Sequence, residues 1–129
     1  MVGVTLITHG KLADILINTA EEITGPLENI RSVIVDKDDD PKKVRGTVSK
    51  AIKEVDQGDG VIILTDMFGG TPSNIGLSFL SSGKVELITG VNLPILLKLA
   101  SRKADESLSE LAGMLKRKGQ DSIVLASEM

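Results

Sequence analysis

Short β-branched runs alternate with helically spaced apolar stripes along the 129-residue chain. Val2 to Thr8 is apolar and β-branched, which predicts a buried first strand ending at His9-Gly10. Leu12, Ala13, Leu16, Ala20 and Ile23 then recur at helical spacing until Gly25-Pro26 stops them. Ile30 to Val35 predicts a second strand. Asp40-Pro41 opens a helix striped by Val44, Val48, Ala51, Ile52 and Val55. Gln57-Gly58-Asp59-Gly60 turns into a third strand, Val61 to Thr65, which ends abruptly in Asp66 and then Gly69-Gly70. Thr71 suits an N-cap with Pro72 at the first helical position, and that helix runs to about Leu80. Val85 to Thr89 predicts a fourth strand.

Asn92 suits the cap of the next helix, with Pro94 in its first turn. Leu93, Ile95, Leu96, Leu97, Leu99 and Ala100 make that helix apolar on more than one face. Either other helices cover it or a second subunit does. Leu108, Leu111, Ala112 and Leu115 mark a last helix that Gly119 ends, and Ser122 to Ala126 predicts a final strand. The alternation defines an α/β fold, a doubly wound, mainly parallel sheet with helices on both faces. In such sheets ligands sit outside the carboxyl ends of the strands. His9 and Asp66 both fall at such ends and belong on one edge.

Composition narrows the picture. With 41% hydrophobic and 26% charged residues the chain reads as one globular domain spanning residues 1–129. A net charge of −3, no Trp, no Tyr and two Phe argue against nucleic acid as partner. Without cysteine there is neither a disulfide nor a reactive thiolate. MVGVTLITHG lacks the features of a signal peptide, and no apolar run nears the about 20 residues of a membrane span. A cytoplasmic domain is the expectation. Asp36-Lys37-Asp38-Asp39-Asp40 reads as a solvated loop, and one histidine with one aspartate makes no closed metal set, so neither metal nor cofactor is expected.

Val61 to Asn74 carries the chemistry. A carboxylate on a strand end, two glycines and a helix start place amide donors beside a negative group, which suits an oxyanion such as phosphate. His9 is the only histidine. One ring nitrogen could attack phosphorus while the other donates its N–H to Asp66, which would fix the tautomer and stabilise the developing positive charge. The amides of Gly69, Gly70 and Thr71 would hold the phosphoryl oxygens. Neither loop contains arginine, as suits a carrier that must release what it accepts. Met67 and Phe68 either pack under the loop or stand out to bind partners, and Lys11 reads as a solvated charge. The residues alone leave His9 as acceptor or as an ordinary strand-end histidine, and the glycine loop as an anion nest or a capped turn.

Three stretches resemble the IIA component of the mannose family of the bacterial phosphoenolpyruvate-dependent sugar phosphotransferase system. They are Ile7-Thr8-His9-Gly10, Thr65-Asp66-Met67-Phe68-Gly69-Gly70-Thr71-Pro72-Ser73-Asn74 and Gly90-Val91-Asn92-Leu93-Pro94. The resemblance covers essentially the whole chain in the family's order. It implies that His9 takes a phosphoryl group from the phosphocarrier HPr and hands it to a IIB component, with Asp66 as orienter. It also implies a homodimer whose last strand pairs antiparallel with the partner's sheet, an exchange that alternation alone does not suggest. Association with the membrane would be peripheral, through permease components.

Many members continue through a linker into a IIB domain, whereas this sequence stops at Met129, so the expected acceptor is a separate chain. A regulatory phosphohistidine module and the related phosphotransfer subunit of dihydroxyacetone kinase are the alternatives. A receiver domain phosphorylated on Asp66 would need an acidic cluster after the first strand, and Thr8-His9-Gly10 supplies none.

Overall fold

The computed structural model describes all residues, 1–129. In chain order the elements are β1 (Gly3–His9), α1 (Leu12–Thr24), β2 (Ile30–Val35), α2 (Pro41–Val55), β3 (Val61–Thr65), α3 (Thr71–Leu77), β4 (Val85–Thr89), α4 (Leu93–Leu99) and α5 (Leu108–Asp121). The four strands form one parallel sheet in the order β2-β1-β3-β4. The chain winds outward from β1 to β2, then crosses back to place β3 on the other side. The switch point therefore lies between the carboxyl ends of β1 and β3, where His9 and Asp66 emerge.

Both faces of the central strands β1 and β3 are buried, which is why these two read as continuous apolar runs. Val4, Leu6, Ile62 and Leu64 point to one face and pack with Ala13 and Ala20 of α1, Ile95, Leu96 and Leu99 of α4, and Leu111 and Leu115 of α5. Ile7, Val33, Val35 and Ile63 point to the other and meet Val44, Val48 and Ala51 of α2 and Ile75 of α3. Each fully buried Leu or Ile contributes about 1.5–3 kcal/mol relative to exposure. The apolar character of α4 is thereby explained within the chain: it packs against α1 and α5, and Leu93 and Leu97 rest against the same cluster.

Local chemistry explains the element ends. Asp40 accepts the Lys42 N–H at 3.0 Å ahead of Pro41, and Asn92 accepts the Ile95 N–H at 3.2 Å ahead of Pro94. In the acidic run, Asp39 accepts the Asp36 N–H at 2.8 Å, so two of its carboxylates close local turns.

Three local expectations are corrected. Thr71 is not the N-cap of α3. Gly70 holds that position, Thr71 begins the helix, and no side chain on the cap residue bonds to it. Gly119 does not end α5, which runs on to Asp121. It is a glycine for packing, since a Cβ there would stand 2.7 Å from Ile95 Cδ1. The third concerns Ser122 to Ala126, which form no strand within the chain. All four strands are parallel, and a 3-10 turn covers Ala126–Glu128. Ile123, Val124 and Leu125 are 78%, 62% and 62% exposed. With no strand of their own chain to pair with, these apolar residues stand in solvent. No helix is long and apolar enough to cross a membrane.

Candidate functional site

His9 is the last residue of β1, and Asp66 directly follows β3. The two strands are adjacent and parallel, with Ile7 opposite Thr65, so the next positions of each reach the same edge. There the Asp66 side chain extends the ladder. Its Oδ2 accepts the backbone N–H of His9 at 3.0 Å and meets the ring Nδ1 at 2.8 Å, while Oδ1 accepts the Met67 N–H at 3.0 Å.

This pairing decides the tautomer. An ionised carboxylate only accepts, so Nδ1 carries the proton and donates it to Asp66, leaving the lone pair on Nε2. Burial pushes the Asp66 carboxyl up, but hydrogen bonds from the His9 side chain and backbone, the His9 charge and the residue's own loop outweigh it. The net result is a pKa below the ordinary aspartate value, which keeps the group ionised. Asp66 is largely covered, with 13% of its side chain exposed, whereas the His9 side chain is 48% exposed. The carboxylate is held in the protein and the imidazole looks out.

The glycine loop lies against that ring. A Cβ on Gly70 would stand 2.7 Å from His9 Cε1 and 3.1 Å from Nε2, so only glycine lets the loop come this close. Its φ of −90° and ψ of 172° are open to any residue, which makes the constraint steric. Gly69 has φ +90°, the left-handed turn that brings Gly70 to the ring. The three amides assigned to an oxyanion are not equivalent. Gly69 N–H is already donated to Ser73 Oγ at 2.9 Å, whereas those of Gly70 and Thr71 donate to nothing in the protein. Met67 and Phe68 do not pack under the loop but are 54% and 72% exposed beside the histidine. Lys11 is exposed.

Sequence reasoning missed the residues that brace this edge. Thr8, fully buried, accepts the Ala13 N–H at 2.8 Å and so caps α1 in place of Lys11, whose side chain makes no cap bond. Val91 N–H donates to the Thr65 carbonyl at 3.0 Å, so the Gly90-Val91-Asn92 stretch steadies the strand end that carries Asp66. A threonine five residues ahead of a buried helical alanine was the available signal for the first. Nothing local signalled the second, a contact between distant segments.

None of the larger cavities is lined by His9 or Asp66. The largest, about 810 Å³, lies between β4 and α5 and includes Val85, Leu87, Ile88, Leu108 and Ala112. The histidine sits on an open surface, accessible to a macromolecule and too shallow to enclose a small one.

The site is thus a surface histidine with one ring nitrogen held by a carboxylate, at the switch point of a parallel sheet. Residues 3–116 match the family described as PTS system fructose IIA component, and the chain belongs to that family of phosphotransfer components of the sugar phosphotransferase system. It is 31% identical over 129 residues to the fructose-specific EIIA component of Bacillus subtilis, covering 99% of this chain and 88% of that protein. It is 27% identical over 124 residues to the mannose-specific EIIAB component of Escherichia coli K12. That match covers 95% of this chain, which spans 38% of the longer relative. The fold superposes with a TM-score of 0.88 on the EIIA component of Streptococcus agalactiae, 22% identical with both chains fully covered.

Proposed function

We propose that His9 is a phosphoryl acceptor and donor, taking the group from phospho-HPr and passing it to a IIB component. The observation that carries this reading is the unequal treatment of the two ring nitrogens. Nδ1 is held at 2.8 Å by Asp66, and Nε2 bonds to nothing in the protein. The Nε2 lone pair attacks phosphorus, the phosphorus–Nε2 bond forms as the bond to the donor breaks, and the Nδ1 proton stays on the ring. The imidazolium so formed lies against an ionised Asp66, which stabilises it in the transition state. Gly70 and Thr71 offer the free amides to the phosphoryl oxygens, and Gly69 shapes the turn that presents them. Met67 and Phe68 are the apolar pair a docking protein would cover. No metal or cofactor takes part in this scheme.

The same reading includes a cytoplasmic homodimer. β4 is an edge strand with an open side, and the β4–α5 groove beside it is lined by apolar side chains. The exposed Ile123-Val124-Leu125 of a second copy could add antiparallel at that edge and cover it. Membrane contact would come only through permease components.

The test is phosphorylation of the purified protein by phosphoenolpyruvate, enzyme I and HPr, read by intact mass and acid lability. One acid-labile phosphate on His9, lost in His9→Ala with the fold retained, supports the reading. Labelling of His9→Ala at the wild-type level removes His9 as acceptor.

A further inference from the structure

We infer that Ser73 is a positioning residue for the His9 imidazole, acting through the Gly69-Gly70 backbone; this rests on the reading of His9 as phosphoryl acceptor. Ser73 lies in the first turn of α3 and is fully buried. Its hydroxyl does two things at once. Oγ accepts the Gly69 N–H at 2.9 Å and donates to the Gly70 carbonyl at 3.1 Å. The same carbonyl also accepts the Asn74 N–H at 3.0 Å, so Gly70 is tied to the helix from two sides.

The cap position has no side chain, and the Ser73 hydroxyl reaches back past it to tie the loop ahead of the helix while leaving the Gly70 and Thr71 amides free. What it ties down is the stretch in contact with the ring. Gly70 Cα faces His9 Cε1 and Nε2 at a distance that excludes even a methyl group. A small shift of this peptide therefore changes both the room around the ring and the place of the free Gly70 and Thr71 amides relative to Nε2. Asp66 fixes the imidazole from the Nδ1 side, and the Ser73-pinned loop fixes the surface it rests on. The sequence hides this role, because Thr71-Pro72 offers a more obvious cap and Ser73 then reads as an ordinary helical serine.

Because His9 is the only histidine, a ¹H–¹⁵N long-range spectrum of ¹⁵N-histidine-labelled protein reports this one ring. That spectrum and the rate of phosphoryl uptake from phospho-HPr are measured for wild type, Ser73→Ala and Ser78→Ala. Ser78 is the control: its hydroxyl donates to the Ile75 carbonyl in the same helix and does not touch the loop. Ser73→Ala is expected to shift the His9 ring resonances and slow uptake roughly 10- to 100-fold, the scale of a misplaced reacting group. Ser78→Ala is expected to match wild type in both. A Ser73→Ala protein with the wild-type spectrum and rate overturns the inference, even if its melting temperature falls. A wild-type protein that takes up no phosphate defeats the acceptor reading instead, and the ring spectrum still decides whether Ser73 positions His9.

Discussion

One oxygen of Asp66 accepts two hydrogen bonds from His9, one from the backbone N–H at 3.0 Å and one from ring Nδ1 at 2.8 Å. The carboxylate thus holds the strand end and the imidazole together, so a ring that rotated away would lose its only hydrogen bond to the protein. Asp66→Asn keeps the shape but can present an N–H where an acceptor is needed, which removes the preference for the Nδ1–H tautomer. Phosphoryl uptake should fall by about 10²–10⁴-fold while the circular dichroism spectrum is unchanged. An unaltered rate in quenched-flow labelling would show that something else orients His9.

The same pair predicts a pH dependence of stability. The folded-state pKa of Asp66 is lowered, so its ionised form is the stabilising one. That contribution is complete above the ordinary aspartate value of about 3.9 and is lost as pH falls through the lower folded-state value. The stability gap between wild type and Asp66→Asn, from urea denaturation, should be constant near neutrality and close on acidification below about pH 4. A gap that grows toward acid would contradict the sign.

Arg102 serves the opposite end of the sheet. It is 8% exposed, and its guanidinium donates to the Val2 carbonyl at 2.6 Å and to the Glu28 carbonyl, tying the segment after α4 to the starts of β1 and β2. Burial pulls its pKa below the usual arginine value, partly offset by Glu28 and Glu106. Arg102→Ala leaves two carbonyls without this partner and should cost about 3 kcal/mol in chemical denaturation. Phosphoryl uptake by the folded fraction should be preserved, because the residue lies far along the strands from His9. A selective loss of transfer with stability intact would count against a purely structural role.

The exposed tail makes a prediction about assembly. Removing residues 123–129 takes away Ile123, Val124 and Leu125 but leaves α5 whole. If these residues pair with a second copy, the truncated protein should sediment as a monomer and expose the β4–α5 groove to an apolar dye. A truncated protein that stays dimeric would place the contact elsewhere.

Much of this architecture is legible in the sequence. The four parallel strands, α1 and α2 follow from β-branched runs, helical stripes and cap-then-proline pairs, each a short-range effect of side-chain shape and hydrogen bonding. The misreadings share one cause. Thr71 looked like the cap because local chemistry favours it there, but the loop closes through Ser73. Gly119 looked like a stop because glycine often is one, yet Ile95 fills the space a side chain would need. Ser122 to Ala126 have strand-forming side chains and no strand beside them in their own chain.

The sequence by itself determined that this chain is an α/β domain with its single histidine and a glycine-flanked aspartate at strand ends, and its motifs were enough to recognise the family. Local preferences and apolar periodicity act over a few residues and survive in the one-dimensional pattern. Only the tertiary structure decided that Asp66 meets Nδ1 and leaves Nε2 bare, and that Gly69 has spent its amide while Gly70 touches the ring. The contacts of His9 with Asp66 and Gly70 join residues 57 or more positions apart, and the Gly69–Ser73 bond spans four residues but depends on the turn the loop takes. Such contacts are set by how the strands and helices pack, and a linear pattern carries no record of them.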